Sequence, residues 1–237
     1  MSQVIQSGNQ YILFNEAYLT SEDCVKFFAS GFSNNQNIDS VNSQGRGEVQ
    51  FFRCEDHSLV AKHYLRGGLL SHIVHDQYYG CKPETTRAFR EWRLLAMMRE
   101  KGLPVPVPVV AHVAIKHCCY RADLITVQIE AAKTLAQYLT QLPLNLEAWQ
   151  AVGVCIKRFH RANIFHADLN ANNILINQQQ ELFVLDFDKG AIKSGELWKL
   201  DNIERLKRSL LKFKRKTPNF HFEFDHWRQL IRGYIAS

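Results

Sequence analysis

No run of the chain approaches the roughly 18 consecutive apolar residues that a helix needs to cross a bilayer. Its first residues carry no basic segment followed by an apolar one, so a secretory leader is not expected either, and the reading places the protein in the cytoplasm. Cysteine is sparse and unordered. Cys24, Cys54, Cys81, Cys118, Cys119 and Cys155 form no C-x-x-C pair and share no recurrent interval, which argues against a zinc site or a disulfide framework and predicts reduced thiols, Cys118 and Cys119 being buried strand residues. Internal repeats, low-complexity segments and a long linker are missing too. What remains, 237 residues with 46% hydrophobic and 22% charged side chains, has the composition of a globular protein and suffices for one large domain or two small lobes.

Acidic charge is scarce in one place. Between Lys189 and Lys216 ten Lys or Arg face only Glu196, Asp201 and Glu204, so this segment carries about the whole net charge of +6. Its spacing predicts an amphipathic helix, with Leu200, Ile203, Leu206, Leu210 and Phe213 on one face and Lys199, Arg205, Lys207, Arg208 and Lys212 elsewhere. A basic amphipathic helix suits an anionic membrane surface or glycolipid better than nucleic acid, which is not expected as a partner. Packing of the apolar face on the core, with merely solvated charges, accounts for the same pattern.

Two stretches carry chemistry: His166-Ala167-Asp168-Leu169-Asn170-Ala171-Asn172-Asn173, and Leu185-Asp186-Phe187-Asp188. Either alone reads as loop acids capping turns. Together, in this order and a hairpin's length apart, they read as the catalytic and metal-binding loops of a phosphoryl-transfer site. Transfer of a phosphoryl group needs a positioned hydroxyl and neutralised charge more than covalent help. Asp168 would accept the hydroxyl's proton, and Asn173 and Asp186 would offer oxygens to Mg²⁺, a hard cation. The apolar runs Ile174-Leu175-Ile176 and Leu182-Phe183-Val184-Leu185, joined by Asn177-Gln178-Gln179-Gln180, predict a hairpin that returns Asp186 beside Asn173.

Upstream the chain is strand-rich, with strands expected over 11–14, 49–52, 59–64, 109–115 and 120–129. A helix from about Thr85, its N-cap, to Lys101 interrupts them and ends before Gly102 and Pro104. Glu91 falls inside its stripe of Ala88, Trp92, Leu95 and Met98, so a carboxylate points inward and needs a partner. Lys62, mid-strand in Leu59-Val60-Ala61-Lys62-His63-Tyr64, is the candidate, in the setting of a lysine that contacts ATP phosphates. Gly45-Arg46-Gly47 before a strand reads as a glycine-rich phosphate loop, though Gln50 stands where a third glycine would complete the pattern and an ordinary turn fits as well. His72 and His75 lack a third ligand and read as exposed histidines. Beyond Ile129 helices take over: one over 144–162 leads to His166, the basic helix follows, and a last one covers 227–234. The expected architecture is α+β in two lobes, a strand-rich ATP-binding lobe over 1–130 and a helical catalytic lobe over 131–237, with the active loops at the junction.

The chain resembles the protein-kinase-like superfamily, and within it the 3-deoxy-D-manno-octulosonic acid (Kdo) kinases. The likeness lies in Tyr64-Leu65-Arg66-Gly67-Gly68-Leu69, Thr86-Arg87-Ala88-Phe89-Arg90-Glu91, Gly102-Leu103-Pro104-Val105-Pro106, Tyr120-Arg121-Ala122-Asp123-Leu124, Arg158-Phe159-His160-Arg161-Ala162 and the run from His166 to Leu175. The resemblance implies Asp168 as base, Asn173 and Asp186 as metal ligands, and Lys62 with Glu91 as the phosphate-binding pair. It further implies ATP and Mg²⁺ as cofactors, and phosphorylation of the 4-hydroxyl of Kdo on a lipid A precursor at the cytoplasmic face of the inner membrane. Arg66, Gly67 and Gly68 would help hold the sugar carboxylate. Asp188 replaces the glycine of D-F-G and no Ala-Pro-Glu follows, which favours a glycolipid acceptor over a protein; Asn170 stands where Ser/Thr kinases carry a lysine. A lipopolysaccharide heptose kinase would share every catalytic residue and differ in its acceptor. A non-catalytic kinase-fold binding module is the alternative from another class, and the full set Lys62, Glu91, Asp168, Asn173 and Asp186 argues against it.

Overall fold

In a computed structural model of the chain, residues 2–29, 49–54, 56–65 and 78–237 are described. They divide into two compact units, Met1–Ala96 with Val107–Gln128, and Met97–Pro106 with Ile129–Ser237. The class is α+β, as expected.

The first unit holds β1 (Ser2–Ser7), β2 (Gln10–Asn15), α1 (Ser21–Ala29), β3 (Val49–Cys54), β4 (His57–His63), β5 (Tyr78–Tyr79), most of α2 (Arg87–Glu100), β6 (Pro108–Lys116) and β7 (Cys119–Val127). Among the described residues the strands form one sheet ordered β1-β2-β6-β7-β4-β3, with β5 also on β7, and every pairing is antiparallel. Side chains alternate across β4. Leu59 and Ala61 enter a core shared with Cys24 and Phe28 of α1, whereas Lys62 and Tyr64, of opposite parity, reach Glu91 of α2. His63 shares the α1 side, where its Nδ1 lies 2.6 Å from Asp123 Oδ1 and His112 Nδ1 lies 2.9 Å from Asp123 Oδ2, with Phe28 stacked on His112. Burial pushes the Asp123 carboxyl up, but hydrogen bonds and charge from His112 and His63 outweigh it and hold the group below the usual carboxylate range.

Three expectations need correction here. α2 starts at Arg87 and is not capped by Thr85, which ends a 3₁₀ turn, Pro83–Thr85; the hydroxyls of Thr85 and Thr86 donate back to the carbonyls of Lys82 and Pro83. β1 and α1 are additional elements. Cys118 is exposed rather than buried, because the β6–β7 hairpin turns at His117 and Cys118, with His117 at φ 57°. The neighbouring Cys118 thiol pushes the pKa of the Cys81 thiol up.

The second unit carries β8 (Lys133–Thr134), α3 (Leu135–Gln141), α4 (Leu146–Arg161), β9 (Ile164–Phe165), β10 (Ile174–Ile176), β11 (Leu182–Val184), β12 (Ala191–Ile192), α5 (Leu197–Lys216) and α6 (Phe224–Ala236). Thr134 and Gln137 form a capping box on α3, and Asn145 caps α4 by accepting from Ala148 N at 2.7 Å. α4 and α6 touch along their backbones. A Cβ on Gly153 would lie 2.7 Å from Tyr234 N and closer still to Leu230 O, and one on Gly233 would meet the Gln150 backbone. Glycine permits that approach, and hydrogen bonds Gln150–Gln229 at 2.7 Å and His160–Tyr234 at 2.8 Å join the helices on either side of it.

α5 also departs from its expected phase. Trp198, Asn202, Ile203, Leu206 and Leu210 are buried, but Leu200 is 62% exposed. At about 100° per residue Leu200 points away from the Leu206 and Leu210 side. The buried stripe thus contains a polar residue, Asn202, in place of Leu200.

Candidate active site

α4 ends at Arg161 and delivers the chain, through β9, to a loop in which His166, Asp168, Ala171 and Asn173 engage both backbone N–H and C=O. His166 is buried and organises it. Its Nδ1 accepts from Asp168 N at 3.0 Å and its Nε2 donates to Leu185 O at 2.8 Å, which fixes the ring between the loop and the hairpin's return strand. Phe187 lies beneath, 1% exposed, with its ring 4.7 Å from that of His166 and 5.6 Å from that of Phe159.

Within the loop, Asn173 Nδ2 donates to Asp168 O at 2.9 Å and Asn170 Nδ2 donates both to that carbonyl at 3.0 Å and to Asp168 Oδ2 at 3.1 Å. Asn170 Oδ1 accepts from Asn172 N at 2.8 Å. These contacts aim the Asp168 carboxylate outward, with its side chain 61% exposed. β10 and β11 pair Ile174 with Val184, Leu175 with Phe183 and Ile176 with Leu182. Leu185 N then donates to Asn173 O at 2.8 Å, so Asp186 follows immediately after a residue fastened to Asn173. Asp186 is exposed and has φ 60°. A non-glycine residue in that region is uncommon, and such backbone strain concentrates at functional sites.

Chemically, Asp168 can take a proton from an approaching hydroxyl. Asn173 has committed its NH₂ group to Asp168 O, which leaves its amide oxygen, together with the Asp186 carboxylate, as a hard-oxygen donor set that fits a divalent cation such as Mg²⁺. Among the described residues no group of three or more His, Cys, Asp or Glu could hold a metal unaided. In the first unit, Lys62 Nζ lies 3.1 Å from Glu91 Oε2 and 3.4 Å from Oε1, and Tyr64 OH donates to the same carboxylate. Glu91 is 4% exposed and Lys62 partly so, an arrangement in which a buried acid steadies a cation that still meets solvent. Gly45, Gly47, Arg66, Gly67, Gly68, His72 and His75 lie outside the described residues.

One face of α5 grips this loop, a feature the basic-helix reading overlooked. Asn202 Nδ2 donates to His166 O at 2.9 Å and its Oδ1 accepts from His166 N at 3.3 Å. Arg205 Nη1 lies 3.3 Å from Asp168 Oδ1, and Ser209 Oγ accepts from Ala171 N at 3.2 Å. The i, i+3, i+7 spacing of Asn202, Arg205 and Ser209 is the signal that could have found them.

His160, on α4 behind the loop, gives the site's clearest pH dependence. Burial pushes its imidazole down to about 4, opposed by a hydrogen bond to Asn202 and by Glu196, and reinforced by Lys199 and Lys157. The unfolded chain, with an ordinary value near 6.5, binds a proton in this window that the folded chain refuses. Stability should therefore fall as pH drops from about 6.5 to about 4, by on the order of 3 kcal/mol. Urea midpoints of wild type and His160→Phe across that range check this; equal slopes would remove His160 as the cause.

Comparison with known proteins adds the family. Residues 33–234 match the lipopolysaccharide kinase (Kdo/WaaP) family. The chain is 38% identical over 242 residues to the 3-deoxy-D-manno-octulosonic acid kinase of Haemophilus influenzae, covering 98% of this chain and 99% of that protein. It is 40% identical over 237 residues to the enzyme of that name from Actinobacillus succinogenes, covering 97% and 98%, and 34% identical over 232 residues to that from Vibrio vulnificus, covering 98% of each. With a likeness that runs nearly end to end in every case, the chain belongs to the lipopolysaccharide kinase (Kdo/WaaP) family and is itself a kinase.

Proposed function

We propose that the protein transfers the γ-phosphoryl group of ATP to the 4-hydroxyl of Kdo in a Kdo–lipid A precursor during assembly of the lipopolysaccharide inner core. The observation that carries the reaction type is the outward-facing Asp168 carboxylate on a loop fastened to Asn173, with the hairpin bringing Asp186 alongside. The acceptor rests on the names of the full-length relatives.

In this reading the acceptor hydroxyl hydrogen-bonds to Asp168 and passes its proton there as its oxygen forms the bond to phosphorus; the bond from phosphorus to the bridging oxygen breaks and ADP leaves. Lys62, steadied by Glu91 and Tyr64, holds ATP phosphate oxygens. Asn173 and Asp186 would hold Mg²⁺, which when bound neutralises phosphate charge.

We further infer peripheral contact with the cytoplasmic face of the inner membrane. No helix among the described residues is long and apolar enough to cross a membrane. Support comes from α5, which exposes Leu197 and Leu200 and ends in Lys212, Lys214, Arg215 and Lys216. Lys214 pairs with Glu223, its side chain staying 39% exposed. At about 1 kcal/mol per cation near an anionic surface, neutralising these four residues should weaken partitioning onto anionic vesicles more than tenfold. Unchanged sedimentation with such vesicles would reject the contact.

The function itself is tested by transfer of labelled phosphate from ATP to purified Kdo-bearing lipid A precursor, with a heptose-bearing core acceptor in parallel. Label on the Kdo acceptor is expected. Label on heptose alone would change the acceptor and keep the chemistry.

A further inference from the structure

The catalytic loop supplies no positive charge of its own. From His166 to Asn173 it holds no lysine or arginine, and the Asn170 amide is engaged at both ends, by Asp168 and by Asn172 N. Three carboxylates, Asp168, Asp186 and Asp188, stand on this loop and on the segment that returns to it. An anionic acceptor brought up to the exposed Asp168 carboxylate meets a like charge. The cation at the base comes instead from α5. Arg205 Nη1 lies 3.3 Å from Asp168 Oδ1, and the guanidinium is about half exposed. Its placement is built: Asn202 and Ser209, one turn to either side on the same helix face, bind His166 and Ala171, so the helix and the loop hold a fixed register with Arg205 opposite the base.

A guanidinium presents five N–H donors in a planar fork that matches a carboxylate. The contact with Asp168 engages Nη1 and one carboxylate oxygen, and it leaves the Nε–Nη2 edge to receive the oxygen pair of a carboxylate. We propose that Arg205 is the acceptor-binding residue that takes the carboxylate of the acidic sugar, and so sets its hydroxyl against Asp168. The inference rests on the acidic-sugar reading above. On the sugar ring the carboxyl is carried on C2 and the accepting hydroxyl on C4, two positions apart, and on the protein Arg205 and Asp168 are neighbours. Arg205 also offsets the charge that Asp168 would otherwise turn toward that carboxylate.

The test uses full-length wild type, Arg205→Gln and Arg205→Lys, each with the Kdo acceptor and with the same acceptor after conversion of its carboxylate to the primary amide. Wild type should prefer the acid by about 10- to 100-fold in kcat/KM, the size of a charge-assisted bidentate contact. Arg205→Gln should lose that preference, with the loss on the acid carried by acceptor KM and not by kcat, and Arg205→Lys should retain part of it. An Arg205→Gln enzyme that still prefers the acid by the wild-type factor would overturn the assignment. So would an equal fall in kcat on both acceptors at unchanged acceptor KM, which would put Arg205 on the phosphoryl group or the base. Failure of wild type on both acceptors, with transfer to another sugar, would overturn the acidic-sugar reading first and this inference with it.

Discussion

Replacing Asp168 with asparagine should lower kcat by about 10²- to 10⁴-fold, the usual contribution of a general base. The substitution keeps the size and planarity of the side chain and removes its ability to take a proton. The loop should keep its shape although Arg205 loses its charged partner, because that shape depends on the Asp168 carbonyl, which accepts from Asn170 and Asn173, and on its N–H, which donates to His166. Neither backbone group is altered. ATP affinity should therefore stay near that of wild type, since Lys62 and Glu91 are paired within the other unit. Steady-state kinetics with both substrates separates the two effects. Turnover within a few-fold of wild type would remove Asp168 from the chemistry.

The largest effect of a single substitution on stability is expected at the crossing of α4 and α6. Alanine at Gly153 gains up to about 1 kcal/mol of helix propensity, which alone would stabilise α4. Against this, the new methyl would lie 2.7 Å from Tyr234 N and nearer still to Leu230 O. Both are backbone atoms of α6, so no side chain can swing aside and the helices must part. Overpacking commonly costs about 1–3 kcal/mol and sometimes more; with a rigid partner the upper end applies, and the clash outweighs the propensity gain. Parting the helices also strains the Gln150–Gln229 and His160–Tyr234 hydrogen bonds. Gly233→Ala, whose methyl would meet the Gln150 backbone, should behave alike, and the double variant should cost less than the sum because one separation accommodates both. Denaturant unfolding of the three variants checks this. A Gly153→Ala protein as stable as wild type would show the crossing to be looser than described.

Much of the site's local geometry was legible in the sequence, because the residues that make it are close along the chain. The loop from His166 to Asn173 and the hairpin that follows are set by short-range turns and a two-residue alternation. Glu91 could be placed from helical phase and Lys62 from its strand. What escaped was of other kinds. β1, with the sequence Ser-Gln-Val-Ile-Gln-Ser, is a largely exposed edge strand, so burial left no alternating pattern to read. Asn202, Arg205 and Ser209 are polar residues on a highly charged helix, where composition reads them as solvated; only the tertiary fold turns that face toward the loop. Leu200 was misplaced for the converse reason, since an exposed leucine is indistinguishable by type from a buried one. The turn at Cys118 depends on a left-handed residue at His117 that no glycine announces.

The β10–β11 hairpin has a consequence for which changes of length the chain can absorb. Its exposed tip, Gln178 to Gln180, is closed by hydrogen bonds between Asn177 and Glu181, and an added residue there would lengthen a loop at a cost of only a few tenths of a kcal/mol. A residue added within Ile174–Ile176 or Leu182–Val184 is another matter. One step of register turns every following side chain to the opposite face, so Asp186 would leave the side on which Asn173 stands. The hairpin thus acts as a ruler with one free end and one fixed end: insertions and deletions should be found at its tip and not along its edges.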